Sequence, residues 1–331
     1  MHTVLFVGGG SVGHIAPSIA VWEALSSMRK DVTAHFVCST RSTDAPYLRH
    51  LGLPFTPLDA PRIGVSLLLK GVRALCAAQK ILERQMPDVV FSTGGYVSAP
   101  LIIAAWQKKI PVMLLEPEAL PGKTNRLLGR FAVKTYRGTP VRSCMTRGSR
   151  ERGRTIAGVR EGRPVLLVMG GSQGAEAINR CIFGLTHELL QTMDIIHITG
   201  AGKLPANVQG GNTPGYCAME FANEELPHFY AAADVTVSRA GASSIAELAA
   251  NGIPSVLVPL HRAQHANALR AHDTNAHFVV CPQVEMQEHL APLILSLLGK
   301  RVHGTHGTDG QDSRHISEII SQCLDSGAIP E

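Results

Sequence analysis

An apolar run, a glycine-rich turn and a stretch of helical period follow one another at Val4–His14, and the same succession begins again at Val165–Ala175. A run apolar on both faces fits a strand buried inside a parallel sheet. Glycines let the chain leave that strand at positive φ and approach a ligand closely. The following helix aims its first amides and the positive end of its dipole at the same place. Two such openings in 331 residues point to an α/β protein of two Rossmann-like domains, each a doubly wound parallel sheet. Strands are expected at Val4–Val7, Ala34–Val37, Val89–Phe91 and Val112–Leu115, then at Val165–Met169, Ile195–Ile198, Val235–Val237 and Ser255–Val258. Helical patterns lie between them, at Ile15–Met28, Leu67–Arg84, Ala175–Leu190 and Ser244–Asn251. The expected domains are 1–143 and 163–300. Residues 144–162 read as a linker because Arg147–Arg163 is polar, basic and glycine-containing. In 301–331, Arg301–Arg314 reads as a loop and His315–Cys323 as a short final helix.

Composition narrows the function. Hydrophobic residues make up 45% and charged residues 17%, enough apolar material for two cores and too much for a disordered chain. The net charge of +5 suits an anionic partner such as a nucleotide or an acidic membrane surface. No basic run is interleaved with aromatics, so nucleic acid is not expected. The seven cysteines are widely spaced with no CxxC pair, which argues for reduced thiols and against a zinc site. No stretch reaches the length of a membrane span, so any membrane contact is expected to be peripheral.

Four segments hold chemistry. The first turn, Gly8-Gly9-Gly10-Ser11-Val12-Gly13-His14, ends in a histidine expected to cap the turn at its mouth, where it can accept a proton. A second glycine turn is Thr93-Gly94-Gly95-Tyr96, and a third is Gly170-Gly171-Ser172-Gln173-Gly174. The third offers several amides and a hydroxyl, a cradle for a diphosphate. All three follow expected strands, and in doubly wound sheets ligands bind at the strands' carboxyl ends. The fourth segment runs from Ser238 through Arg239 to Ala242-Ser243-Ser244 and Glu247. Glu247, three residues after Ser244, has the spacing of a capping box. It also has the chemistry to accept two hydrogen bonds from a ribose diol.

These segments, together with Leu120–Arg126, Pro140-Val141-Arg142 and Gln264…Asn267-Ala268, occur in one order over residues 3 to 280. In that order they resemble the MurG family of peptidoglycan N-acetylglucosaminyl transferases. The resemblance implies the GT-B fold, with two Rossmann-like domains facing a cleft, and an inverting transfer of N-acetylglucosamine from UDP-N-acetylglucosamine to the undecaprenyl-linked acceptor lipid I, giving lipid II. It implies that Glu247 binds the ribose, that Gly171, Ser172, Gln173 and Gly174 bind the diphosphate, and that Arg142 assists. Ala242, Ser243 and Ser244 would flank the diphosphate and sugar, and Gln264 would touch the transferred sugar. Ser11 and Gly13 would lie on the donor, with Tyr96, Glu118 and Asn125 on the acceptor side. His14 or Glu116 would be the general base; Arg239 and Asn179 match family positions. No Asp-x-Asp motif is present, and neither metal nor other cofactor is implied.

The sequence departs from the family in places. Val12 replaces a glycine, and a β-branched residue tolerates positive φ poorly. Glu118 stands where an amide is usual, and Ala263 where a glutamine is usual, with His261 and His265 nearby as substitutes. Between Phe131 and Pro140 only about eight residues remain of a longer stretch that completes the family's first sheet. Ile63–Arg73 is apolar with basic residues inside it. With Trp106, Lys108 and Lys109 it is the expected peripheral contact with an anionic inner leaflet, which would set the protein at the cytoplasmic face of the cell membrane. An ordinary core helix is the other reading of that segment. Two other functions remain open: a different GT-B enzyme, transferase or epimerase, and a non-catalytic UDP-sugar-binding relative.

Overall fold

The computed structural model describes residues 1–61, 67–171, 173–204, 213–302 and 309–326; for 67–69 and 309–312 it describes the backbone. The chain forms two compact units that part between Arg142 and Ser143.

The first unit runs β1 (His2–Val7), α1 (Val12–Met28), β2 (Val32–Ser39), α2 (Asp44–His50), β3 (Phe55–Leu58), α3 (Leu67–Gln85), β4 (Val89–Ser92), α4 (Ser98–Gln107), β5 (Val112–Glu116), α5 (Lys123–Leu128) and β6 (Lys134–Arg137). Its six parallel strands lie in the order β3-β2-β1-β4-β5-β6. β1, in the middle, is flanked in register by β2 and β4, so Val4 meets Ala34 on one side and Val89 on the other. Leu5 and Val7 pack on one face of the sheet and Val4 and Phe6 on the other, the alternation expected of a strand covered by helices on both sides. The shortened stretch after Phe131 still closes the sheet. Lys134–Arg137 pairs parallel with β5 as a four-residue edge strand.

The second unit holds α6 (Arg150–Ala157), β7 (Val165–Met169), α7 (Glu176–Thr192), β8 (Asp194–Ile198), β9 (Tyr216–Met219), α8 (Leu226–Ala232), β10 (Val235–Ser238), α9 (Ala242–Ala250), β11 (Ser255–Leu257), α10 (Arg262–Thr274), β12 (Phe278–Val280) and α11 (Met286–Leu297). Its strand order is β12-β11-β10-β7-β8-β9. Renumbered from β7 this is the topology of the first sheet, so the restart seen in the sequence is a repetition of the whole winding.

Two expectations are corrected. The segment 144–162 is not a free linker. It carries α6, capped by the Ser149 hydroxyl on the Arg152 amide and ended by Gly158 at φ 61. α6 docks on α8 with no room for a side chain at Gly153, where a Cβ would stand 2.1 Å from the His228 carbonyl oxygen. The final helix, α12 (Asp309–Ser326), starts earlier than expected and belongs to the first unit. Its apolar face, with Ile316, Ile319, Ile320 and Leu324, joins the core around Ile15, Ile19 and Phe6. The Ser317 hydroxyl donates to the Val21 carbonyl at 3.0 Å, and Arg29 pairs with Asp325 at 2.6 Å. Of the expected loop, residues 303–308 lie outside the described residues, His303 and His306 among them.

Candidate functional site

In each sheet the winding reverses between two neighbouring strands, β1 and β4 in one and β7 and β10 in the other. Connections leaving such a pair diverge to opposite faces and open a crevice at the strands' carboxyl ends. All four segments singled out in the sequence leave these four strands.

In the first unit the turn after β1 is held by a residue that motif reading missed. Asp44, fully buried at the start of α2, accepts from the Gly10 amide at 2.8 Å, from the Ser39 hydroxyl at 2.6 Å and from the Ser39 amide at 3.2 Å. Positive φ falls on Gly10, at 99°, and not on Val12, which opens α1. The Val12 departure therefore meets no backbone strain. Ser11 is the N-cap residue, Gly13 lies in the first helical turn, and His14 follows it inside α1 and does not cap the turn. The Thr93 hydroxyl donates to the His14 carbonyl, and the His14 ring nitrogen Nδ1 is buried with no partner among the described residues. The turn after β4 nests against these groups. A Cβ at Gly95 would stand 2.9 Å from the Gly9 carbonyl, and Tyr96 packs over Gly10.

Glu116 ends β5 buried and already engaged. Oε1 accepts from the Glu118 amide at 3.2 Å, and Oε2 accepts from the Gly122 amide and the Asn125 side-chain nitrogen at 3.0 Å each. The carboxylate thus fastens the loop 116–125. Asn125 also donates to the Leu115 carbonyl, while its own Oδ1 is buried beside Gly94 with no partner among the described residues. Arg142 is occupied elsewhere in this unit. It pairs with Glu23 at 2.8 Å and donates to the Tyr47 hydroxyl at 3.2 Å. Glu23 lies well down α1, about 16 Å from its start at 1.5 Å per residue, so the geometry gives Arg142 a fastening role there.

In the second unit the turn Gly170–Ala175 runs from β7 into α7, with φ of 78° at Gly171 and 66° at Gly174. Ser172 lies outside the described residues. Gly174 donates to the Gly171 carbonyl at 2.9 Å, closing the turn. Lys203 reaches over from the segment after β8 and donates to the Gln173 carbonyl at 2.7 Å, bringing a cation to the turn. Beneath it, Asn179 donates to the Thr199 carbonyl at 2.9 Å and meets His197 at 3.1 Å, and His197 meets the Tyr216 hydroxyl at 2.9 Å. Burial holds His197 neutral, its pKa down to about 4.

The turn after β10 leads into α9. Its N-cap is Gly241, so Ala242, Ser243 and Ser244 form the first helical turn and present their amides at its open end. This rules out the capping box. Glu247 lies past the first turn, half buried, and accepts from the Tyr230 hydroxyl at 2.6 Å. Arg239, buried at the end of β10, donates to the Val258 carbonyl and to Gln283, and burial lowers its pKa. Asn267 donates to the Ala240 carbonyl at 3.1 Å, tying α10 to this turn. At the start of α10 the Gln264 side-chain oxygen accepts from the Leu260 amide at 2.9 Å, and His261, the N-cap, accepts from the Gln264 amide. Gln264 and His261 thus form a reciprocal cap, with Ala263 between them in the helix.

Residues 4–137 match the family model described as the glycosyltransferase family 28 N-terminal domain, and residues 165–311 match the one described as the family 28 C-terminal domain. The chain is 36% identical over 288 residues to the UDP-N-acetylglucosamine–N-acetylmuramyl-(pentapeptide) pyrophosphoryl-undecaprenol N-acetylglucosamine transferase of Shouchella clausii, across 80% of both chains. It is 34% identical over 284 residues to the transferase of the same name from Legionella pneumophila (strain Lens), across 78% of this chain and 77% of that one. Among solved structures, the MurG of Acinetobacter baumannii shares the fold with a TM-score of 0.72 and 23% identity, covering 97% of this chain and 99% of the other.

Proposed function

The chain belongs to glycosyltransferase family 28, and on that footing we propose that it moves N-acetylglucosamine from UDP-N-acetylglucosamine onto the C4 hydroxyl of an N-acetylmuramyl-pentapeptide carried on undecaprenyl pyrophosphate, making lipid II for peptidoglycan. One observation carries this reading: the identity to a transferase of that name spans 80% of both chains and both units.

The roles follow from what each group has to offer. The second unit takes the donor. Amides of Gly171 and Gln173, with the Ser172 hydroxyl, meet the diphosphate before α7 in the turn that the Gly174 amide closes, and those of Ala242, Ser243 and Ser244 meet it at the start of α9. Fixed dipoles of this kind stabilise the charge that grows on the leaving diphosphate. The Glu247 carboxylate accepts from the ribose hydroxyls, and the Gln264 side-chain nitrogen is left for the sugar once its oxygen is used on Leu260. The first unit takes the acceptor along His14, Tyr96, Asn125 and Glu118. His14 is the general base, because no described residue bonds its Nδ1 while Glu116 already accepts from three N–H groups. The acceptor oxygen attacks the anomeric carbon as its proton passes to the His14 ring. The bond to the diphosphate breaks on the opposite side, UDP departs with the electron pair, and the configuration inverts.

The acceptor is lipid-linked, and no helix among the described residues is long and apolar enough to cross a membrane. A peripheral contact at the cytoplasmic face fits the apolar surface of the first unit. Trp106 is 54% exposed and packs on Phe131 with ring centroids 5.0 Å apart. Arg130 covers Phe131 at 4.9 Å, and Lys108, paired with Glu83 at 3.0 Å, and Lys109 come two and three residues after Trp106. An apolar face rimmed by cations suits an anionic leaflet. Of the companion segment Ile63–Arg73, residues Ile63–Ser66 lie outside the described residues.

Incubation with UDP-N-acetylglucosamine and a soluble lipid I analogue tests the proposal. The expected product is the β-linked disaccharide. Release of a free epimerised sugar, transfer of another sugar in preference, or tight donor binding with no turnover would each refute it.

A further inference from the structure

The acid assigned to the ribose is held by a residue that no motif reading includes. Tyr230 lies on α8 with no exposed surface, and its hydroxyl donates to Glu247 Oε2 at 2.6 Å. α8 is short, but its end is fixed twice. Arg301 donates to the carbonyls of Tyr230, Ala231 and Ala233. Arg150 donates to the Ala232 carbonyl at 3.0 Å and pairs with Asp234 at 2.8 Å. The phenol is therefore anchored through its own backbone as well as by its packed ring.

A glutamate's terminal torsion is broad, so a half-buried carboxylate left to itself rotates through many orientations. A ribose diol needs both acceptor directions at once. We propose that Tyr230 is a positioning residue for nucleotide recognition: its hydroxyl, on Oε2, fixes the rotation in which the Glu247 carboxylate meets two vicinal hydroxyls. The proposal rests on the assignment of Glu247 to the ribose. It makes a selectivity claim, because the residue sets preference for a ribonucleotide over a deoxyribonucleotide without touching either.

Calorimetric titration of the full chain with UDP and with 2′-deoxy-UDP tests it, using Tyr230→Phe, Glu247→Ala and the double variant. Tyr230→Phe is expected to weaken UDP about tenfold, the scale of one hydrogen bond to a charged acceptor, and to bring the two affinities towards equality. In the Glu247→Ala background it is expected to change neither. The UDP to deoxy-UDP affinity ratio does not depend on the folded fraction, so it reads the proposal even in a poorly folding variant. If Glu247→Ala loses the ratio and Tyr230→Phe keeps it, the positioning role is wrong and the ribose assignment stands. If Glu247→Ala keeps it, the ribose assignment fails and takes this inference with it.

Discussion

Gly174 faces the carbonyl oxygen of Thr199 so closely that a Cβ on it would stand 2.2 Å away. The turn proposed to meet the diphosphate is thus pressed against the backbone that follows β8. Because the obstacle is backbone, it cannot swing aside as a side chain does.

Gly174→Ala combines that clash with a φ of 66°, and is expected to lower UDP affinity by more than tenfold and to depress the melting temperature. Gly171→Ala is the control. Its φ is 78°, but no described residue lies within 4 Å of the added carbon, so the left-handed strain of about 1–2 kcal/mol is the cost expected. Calorimetry with UDP and thermal melts on both variants check this. Equal effects from the two would mean that the Thr199 contact is unimportant.

His197 predicts a pH dependence of stability. Its folded pKa is about 4 against an ordinary value of 6.5. Between these values the unfolded chain binds the extra proton, so unfolding free energy rises with pH across the window. Stability is lost as pH falls from 6.5 towards 4, by a contribution of about 3 kcal/mol from this group. Urea midpoints between pH 4 and 7 are expected to slope steeply in the wild type and less in His197→Gln. Parallel slopes in the two proteins would refute the assignment.

Asp44→Ala leaves the buried Ser39 hydroxyl and amide, and the part-buried Gly10 amide, without their acceptor. A loss of about 2 kcal/mol in stability is expected, together with a fall in kcat of tenfold or more as the turn before His14 loosens. UDP affinity should be unchanged if the nucleotide is held by the turns of the second unit, as proposed, and should fall if Ser11 and Gly13 contribute to it. Parallel measurement of turnover, urea midpoint and UDP binding decides it.

His14→Ala and Glu116→Gln separate the two candidate bases. Removing a general base costs on the order of 10²–10⁴ in rate. His14→Ala should lose that much kcat with UDP affinity and melting temperature close to wild type. Glu116→Gln should chiefly destabilise, because its new amide nitrogen must face one of the N–H groups that Glu116 now accepts. A large kcat loss in a Glu116→Gln protein of normal stability would reverse the assignment.

What the sequence conveyed divides along the sheets. The eight interior strands were legible, because neighbours on both sides and helices above and below leave them continuously apolar. The four that escaped, β3, β6, β9 and β12, are the four sheet edges. Phe55–Leu58, Lys134–Arg137 and Tyr216–Met219 are short and half exposed, and their residues alternate weakly. In the site, the glycine turns announced themselves by composition. Asp44, Lys203, His197 and Tyr230 did not, because each reaches its partner from another element and no local spacing marks it. The capping box at Ser244 failed for a related reason. Its spacing is real, but Gly241 starts the helix earlier and leaves Glu247 beyond capping reach. The polar segment 144–162 misled because four of the eight residues of α6 are charged and it meets α8 at Gly153, with Ala157 its other buried residue.

α12 has a consequence for how the molecule is made. The first unit is discontinuous in sequence, with the whole of the second threaded between its penultimate and last elements. When a ribosome has released residue 142, the six strands of the first sheet exist, yet the core that holds Ile15 and Ile19 of α1 lacks part of its cover until Ile316, Ile319 and Ile320 emerge. The N-terminal half, begun first, is therefore completed last, and for the time it takes to translate some 180 residues it waits with an oily seam open to its surroundings.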